Sequence, residues 1–174
     1  MVSESRTYSA TETLRNGRQI EIRALRPEDR DDFIRAAGGL STQSLYRRFF
    51  APKRHYSDEE KSFFLDVDFV NHVALIALTN VNGKVEIIGG GRYVVDHPGS
   101  AEIAFTVVDK YQGEGIGAAL MRHLITVARQ AGLRELFAEV LRENAAMLKV
   151  FERCGLSMQT RAESQTLHVV LALN

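Results

Sequence analysis

The chain has 174 residues, enough for one domain with its own core and too few for two full ones. Lys plus Arg number 22 and Asp plus Glu 22, so the formal charge is zero and no overall field gathers nucleic acid or an anionic membrane. With 45% hydrophobic and 25% charged residues the composition is that of a folded globular protein, and the single cysteine, Cys154, excludes an internal disulfide and paired-cysteine zinc sites.

The polar start, read as an N-terminal arm over residues 1–17, lacks the apolar stretch of a secretory signal, and the longest apolar run, residues 73–78, is far short of the ~20 needed to cross a bilayer. The expectation is a cytoplasmic protein with one domain over 18–174. Residues 18–25 alternate apolar and polar positions as a strand does, and Pro27 then opens an acidic turn leading to Phe33, Ile34, Ala36 and Ala37 of a helix. Ser41 can cap a second helix carrying Leu45, Tyr46, Phe49 and Phe50, and Ser57 with Glu60 forms a capping box for a third over 58–66. Runs at 73–79 and 85–95 flank Asn82-Gly83, the strongest short signal for an antiparallel hairpin.

Residues 101–108 read as a strand, followed from Gly115 by a helix with Ile116, Leu120, Leu124 and Val127 on one face and Gly132 at its end. A strand over 133–141, a helix capped by Asn144 and stopped at Gly155, and a hairpin over 157–173 complete the chain. The pattern is an α+β domain around one mixed, mostly antiparallel sheet of about seven strands flanked by helices. The exposed edge of the last hairpin offers a surface for a homodimer.

Chemistry concentrates in residues 111–118, Tyr-Gln-Gly-Glu-Gly-Ile-Gly-Ala, between a strand and a helix. Glycines let the backbone turn sharply, and amides at a helix N-terminus converge on one spot that favours phosphate without any basic side chain. Gly113-x-Gly115-x-x-Ala118 with Glu139 about 20 residues on also satisfies the dinucleotide-binding fingerprint. Against that reading, residues 109–112 separate strand from glycine, too little chain follows for a second βαβαβ half, and an antiparallel hairpin precedes.

Gln112, Gly115 and Gly117 spell Gln-x-x-Gly-x-Gly. Together with Phe105-Thr106-Val107 at the strand end, the helix running to Gly132, and Asn144 through Phe151 to Gly155-Leu156, this resembles the GNAT N-acetyltransferase superfamily over residues 18–173. Residues 40–50 and 101–105 look more narrowly like the GNAT domain of bacterial protein lysine acetyltransferases. The resemblance implies acetyl-CoA as cosubstrate and no metal, with the diphosphate on the backbone of Gly113, Glu114, Gly115, Ile116, Gly117 and Ala118. It further implies that pantetheine pairs with Phe105, Thr106 and Val107, and that the Val107 amide holds the thioester oxyanion, a device worth ~3 kcal/mol. Gln112 and Asn144 join the cofactor residues, although Asn144 also serves as a helix cap.

A lysine-like amine, with pKa ~10.4, must lose a proton before attack. Glu102 is the first choice of base, because it alternates with the small Ala104 and Thr106, and Glu139 is the second, on a face crowded by Phe137 and Leu141. Where many members carry a tyrosine to protonate the departing thiolate, this chain has Phe151, leaving Tyr93, Tyr111 or water. Glu114 stands where an Arg or Lys is common and is expected to point away from the phosphate. Phe151 and Glu114 keep alive a second reading, an acyl-CoA-binding module without turnover.

The acceptor is read as a primary amine, either a protein lysine or a small molecule. The five histidines lack ligand spacing, and His123 and His168 read as bonding within their own elements. Cys154 reads as a small core residue, and Phe49, Phe50, Phe63 and Phe64 as lining the core or an acceptor groove. Arg47, Arg48, Lys53 and Arg54 read as a solvated basic cluster.

Overall fold

The computed structural model describes residues 4–41, 43 and 57–174. The helix expected after Ser41, with Leu45, Tyr46, Phe49, Phe50 and the basic cluster, lies outside them. The elements in chain order are β1 (Ser9–Thr13), β2 (Gln19–Ala24), α1 (Arg30–Gly38), α2 (Asp58–Leu65), β3 (His72–Val81), β4 (Lys84–His97) and β5 (Ser100–Val107). Then follow α3 (Ile116–Gln130), β6 (Glu135–Leu141), α4 (Ala145–Glu152), β7 (Ser157–Ala162) and β8 (Thr166–Ala172). All eight strands form one sheet in the order β1-β2-β3-β4-β5-β6-β8-β7, antiparallel everywhere except between β5 and β6.

The eighth strand is the one the sequence hides. Ser9-Ala-Thr-Glu-Thr has no apolar face, so nothing in its pattern announces a strand, yet it pairs with β2 along its whole length. Side chains hold it from above. The Tyr8 hydroxyl meets His123 Nδ1 at 2.5 Å, and Glu12 pairs with Arg122 at 2.6 Å and His123 at 3.1 Å, both on α3. His123 therefore bonds to another element rather than within its own, and residues 9–13 of the N-terminal segment form an edge strand of the sheet.

One sheet face carries the main core. The buried stripe Ile116, Leu120, Leu124 and Val127 of α3 packs on Leu75, Tyr93, Ile103, Phe105 and Leu136. The approach is so close at β4 that a Cβ on Gly91 would lie 2.7 Å from Phe105 Cδ1 and 2.9 Å from Leu124 Cδ1, which explains a glycine in mid-strand. The opposite face of β2–β4 is covered by α1 and α2 through Phe33, Ala36, Phe64 and Leu65. Before α1, burial of Asp29 opposes its charge, but a two-pronged Arg23 contact (2.8 Å for each bond) and the Arg26 amide (2.7 Å) hold its carboxyl below the usual range. The capping box of α2 forms as expected, Glu60 N donating to Ser57 Oγ at 3.2 Å and Ser57 N to Glu60 Oε1 at 3.0 Å.

Candidate active site

The parallel pair β5–β6 is only three residues long: Ser100 with Glu135, Ala101 with Leu136, Glu102 with Phe137. Its root is tied down by the amides of Arg134 and Glu135 donating to Gly99 O (2.8 and 3.1 Å) and by Ser100 Oγ donating to Glu135 at 2.9 Å. Beyond Glu102 each strand stays with its other neighbour, β5 with β4 as far as Val107 and β6 with β8 as far as Leu141, so the two part into a notch. Because Val108 N donates back to Ile88 O on β4 (2.9 Å), alternation along the strand turns the amides of Phe105 and Val107 to the open edge. Of the three predicted cofactor residues on this strand, Phe105 and Val107 thus offer main chain there, whereas Thr106 turns its own towards β4. The Phe105 ring itself is buried 6.3 Å from that of Phe151.

At the mouth of the notch a single 3-10 turn, Asp109–Tyr111, leads into the glycine loop. Gly113 and Gly115 have φ of +81° and +96°, and a Cβ on either would meet nothing within 4 Å, so glycine is needed there for the left-handed backbone and not for packing. The first bond of α3 is Ala119 N to Gly115 O at 3.0 Å, which leaves the amides of Ile116, Gly117 and Ala118 unpaired by the helix at its positive end. Gln112 has a bracing role. Its Nε2 donates to Val107 O at 3.0 Å and ties the loop to the end of β5.

Glu114 turns away from this anion-favouring end. Arg18 Nε and Asn16 Nδ2 donate to its Oε1 at 2.8 and 2.5 Å, and these bonds, Arg18 foremost, hold its carboxyl below the usual range. Arg18 also lies 4.9 Å over the Tyr111 ring, with Lys110 at 5.1 Å. The β1–β2 turn is therefore a brace for the loop, and sequence reasoning missed both Asn16 and Arg18 because nothing local links residues so far apart in the chain. Asn144 is the cap of α4, its Oδ1 accepting from Met147 N at 3.2 Å, so that oxygen is committed to the helix.

On the other face of the sheet, Glu102, Ala104 and Thr106 alternate along β5. Glu102 is exposed, and its carboxylate has no partner among the described residues. Glu139 sits on the same face of β6, two residues beyond Phe137, and accepts a hydrogen bond from His168 Nδ1 of β8. His168 thus bonds across strands, not within its own element. Towards α1 the face becomes a groove lined by Phe33, Leu40, Phe64, Arg92, Ala104 and Thr106. Arg92 Nη1 donates to Phe64 O at 3.0 Å and to His72 Nε2 at 2.7 Å, and its guanidinium lies 4.6 Å over the Phe64 ring. Burial, and then the Arg92 charge, push His72 down to about 4, so it stays neutral and accepts that bond. Phe63, by contrast, is half-exposed and stacks on His72 at 4.8 Å.

The two tyrosines that could protonate a leaving thiolate are enclosed, as is Phe151, which stands in the place of such a tyrosine. Phe151 is 1% exposed, Tyr93 is buried in the core with its phenol pushed up to about 12 by burial, and Tyr111 is buried beneath Arg18 and Lys110. Cys154 is partly buried against the core. Among the described residues no helix is long and apolar enough to cross a membrane.

The profile of the acetyltransferase (GNAT) family matches residues 40–156, which contain the notch, the loop and both strands that part. The chain belongs to the GNAT family. An acetyltransferase of Pseudomonas aeruginosa is 36% identical over 137 residues, covering 78% of this chain and 74% of the relative. Acetyltransferase Pat of Mycolicibacterium smegmatis is 33% identical over 144 residues, and this chain spans 82% of its own length but only 42% of Pat. The crystal structure of the GNAT domain of S. lividans PAT superposes with a TM-score of 0.84 at 32% identity, covering 94% of this chain and 96% of that domain. The GNAT chain is an acetyltransferase close to the bacterial protein acetyltransferases, and its fold is one that uses acetyl-CoA. Its largely antiparallel sheet is incompatible with the dinucleotide-binding architecture that the glycines alone had allowed.

Proposed function

We propose that this acetyltransferase moves the acetyl group of acetyl-CoA directly onto a primary amine, with Glu102 taking the amine proton through water. The observation that carries the reading is the parting of β5 from β6 immediately after the pair Glu102–Phe137, which sets an exposed carboxylate at the root of an open strand edge. At the other end of that edge stand the unpaired amides of α3. The amides of Gly113 to Ala118 would hold the diphosphate, and the open edge of Phe105–Val107 would pair with the pantetheine amides. An N–H of that open edge, Phe105 or Val107, would take the charge that develops on the thioester oxygen.

The chemistry needs no metal. The amine nitrogen forms a bond to the acetyl carbon, the carbon–sulfur bond breaks with its electron pair on sulfur, and the surplus proton passes to the carboxylate. A thiol of pKa ~8.5 leaves tolerably well as thiolate, so a Phe151 without a hydroxyl and a buried Tyr93 slow the reaction without blocking it. The acceptor is a protein lysine or a small amine. An Escherichia coli relative, 34% identical over 79 residues, is named as a ribosomal-protein alanine N-acetyltransferase, which favours a protein amine.

The test is release of free thiol from acetyl-CoA against a panel of amines and lysine peptides, using wild type and Glu102→Gln. Expected is a loss in kcat of about 100-fold in the variant, with CoA affinity unchanged. Coenzyme A binding by the wild type with no turnover on any amine would reduce the protein to an acyl-CoA-binding module.

A further inference from the structure

The Glu139–His168 pair is not needed to hold the sheet together, since the β6–β8 ladder runs the full length of both strands without it. Its arrangement is that of an oriented base. A carboxylate can only accept, so His168 Nδ1 carries the hydrogen in the bond to Glu139, and the neutral ring is left with its lone pair on Nε2. Nε2 has no partner among the described residues. The two side chains are 23% and 32% exposed, open enough for exchange with water and enclosed enough to stay oriented.

The surroundings keep the pair undisturbed. From β6 the Phe137 ring backs the imidazole at 5.8 Å. From β7 the residue level with His168 is Arg161, whose guanidinium is engaged with Glu163 at 2.9 Å and so does not take Glu139. From β5 the nearest charge on this face is Glu102, level with Phe137. Glu102, Phe137, Glu139 and His168 therefore share one face across three neighbouring strands, with the notch opening between the first and the last two. From Glu102 the imidazole is two strands across and two residues along, more than ~10 Å at ordinary strand spacing, a gap that a chain of waters would bridge.

We propose that His168, oriented by Glu139, is the terminal proton acceptor of the transfer reaction. This rests on the reading of the notch as the acetyl-transfer site. As the carbon–nitrogen bond forms and sulfur leaves with the electron pair of the carbon–sulfur bond, the nitrogen's surplus proton moves to Glu102. From there it passes through water to His168 Nε2. The imidazolium so formed donates from both nitrogens, is stabilised by the Glu139 carboxylate, and returns its proton to solvent. Glu102 is thereby reset for the next amine. In this scheme Glu139 is a positioning residue, not the base.

The experiment is the pH profile of kcat at saturating acetyl-CoA and amine for wild type, His168→Gln, His168→Gly and Glu139→Gln, with calorimetric binding of CoA to each as the check on folding. Expected for His168→Gln is a fall in kcat of at least about tenfold, KM for acetyl-CoA within about twofold of wild type, and a changed acidic limb of that profile. Added imidazole should restore His168→Gly at least severalfold, and Glu139→Gln should lower kcat and move the same limb. If the His168 variants keep both the rate and the limb while Glu102→Gln is impaired, the relay is wrong and the acetyl-transfer reading stands. If wild type acetylates no amine, both fall.

Discussion

The notch has two ends built from different materials. At the loop, the proposed recognition rests on main chain: three amides left over by α3, two left-handed glycines, and side chains such as Gln112 and Arg18 that brace the backbone. At the carboxylate face it rests on side chains drawn from three strands, Glu102, Glu139 and His168, whose backbones are ordinary sheet. The first kind of site is local in sequence and set by dihedral angles. The second exists only once the strand register is set, and it depends on which groups hold a proton.

Acid should separate the two ends, and this is the largest expected effect. His72, bonded to Arg92 of the groove, is pushed by burial down to about 4 in the folded chain against an ordinary 6.5, so the unfolded chain binds its proton first as the pH falls. Stability is lost between pH 6.5 and about 4, by about 3 kcal/mol over that window, and levels off below it. Denaturant titrations of wild type and His72→Gln at pH 7, 5.5 and 4 should show the slope flattened in the variant. The loop brace has the same sign but a lower window: Glu114 is held below the usual carboxylate range, so its contribution is fully present above that range and fails only at lower pH. CoA binding should accordingly outlast the groove on acidification.

The next largest effect breaks the main-chain end alone. Gly115→Ala places a Cβ on a residue with φ of +96°, a strain of about 1–2 kcal/mol, and should weaken CoA binding about tenfold by calorimetry. The NMR signature of the hydrogen-bonded His168 ring should not move. A smaller effect sharpens the contrast: Arg18→Ala leaves Glu114 held by Asn16 alone beside the proposed diphosphate site and should raise the Kd for CoA about threefold, with kcat unchanged, as read by calorimetry and steady-state rates.

Legibility in the sequence follows the same division. Asn82-Gly83, Ser57 with Glu60, and the spacing of Gly113, Gly115 and Gly117 are local signals, and each led to the element that the structure contains. Strand β1 was hidden because an edge strand with two polar faces has no pattern to show. Glu114 was expected to point outward, but its partners Asn16 and Arg18 are brought to it only by the β1–β2 turn. His123 and His168 were misread for the same reason, their partners Tyr8 and Glu139 being supplied by pairings that no short window of sequence encodes.

The three-pair seam between β5 and β6 has a mechanical meaning. It is the narrowest point of the hydrogen-bonded ladder, so of all the bonds that join the two halves of the sheet, the fewest lie along that line. Below it Gly99 and Ser100 act as a rivet, and above it the halves are free of each other's backbone. Any extended molecule laid along the gap would work as a splint, stiffening the whole sheet from the one place where the protein leaves its own weave unfinished.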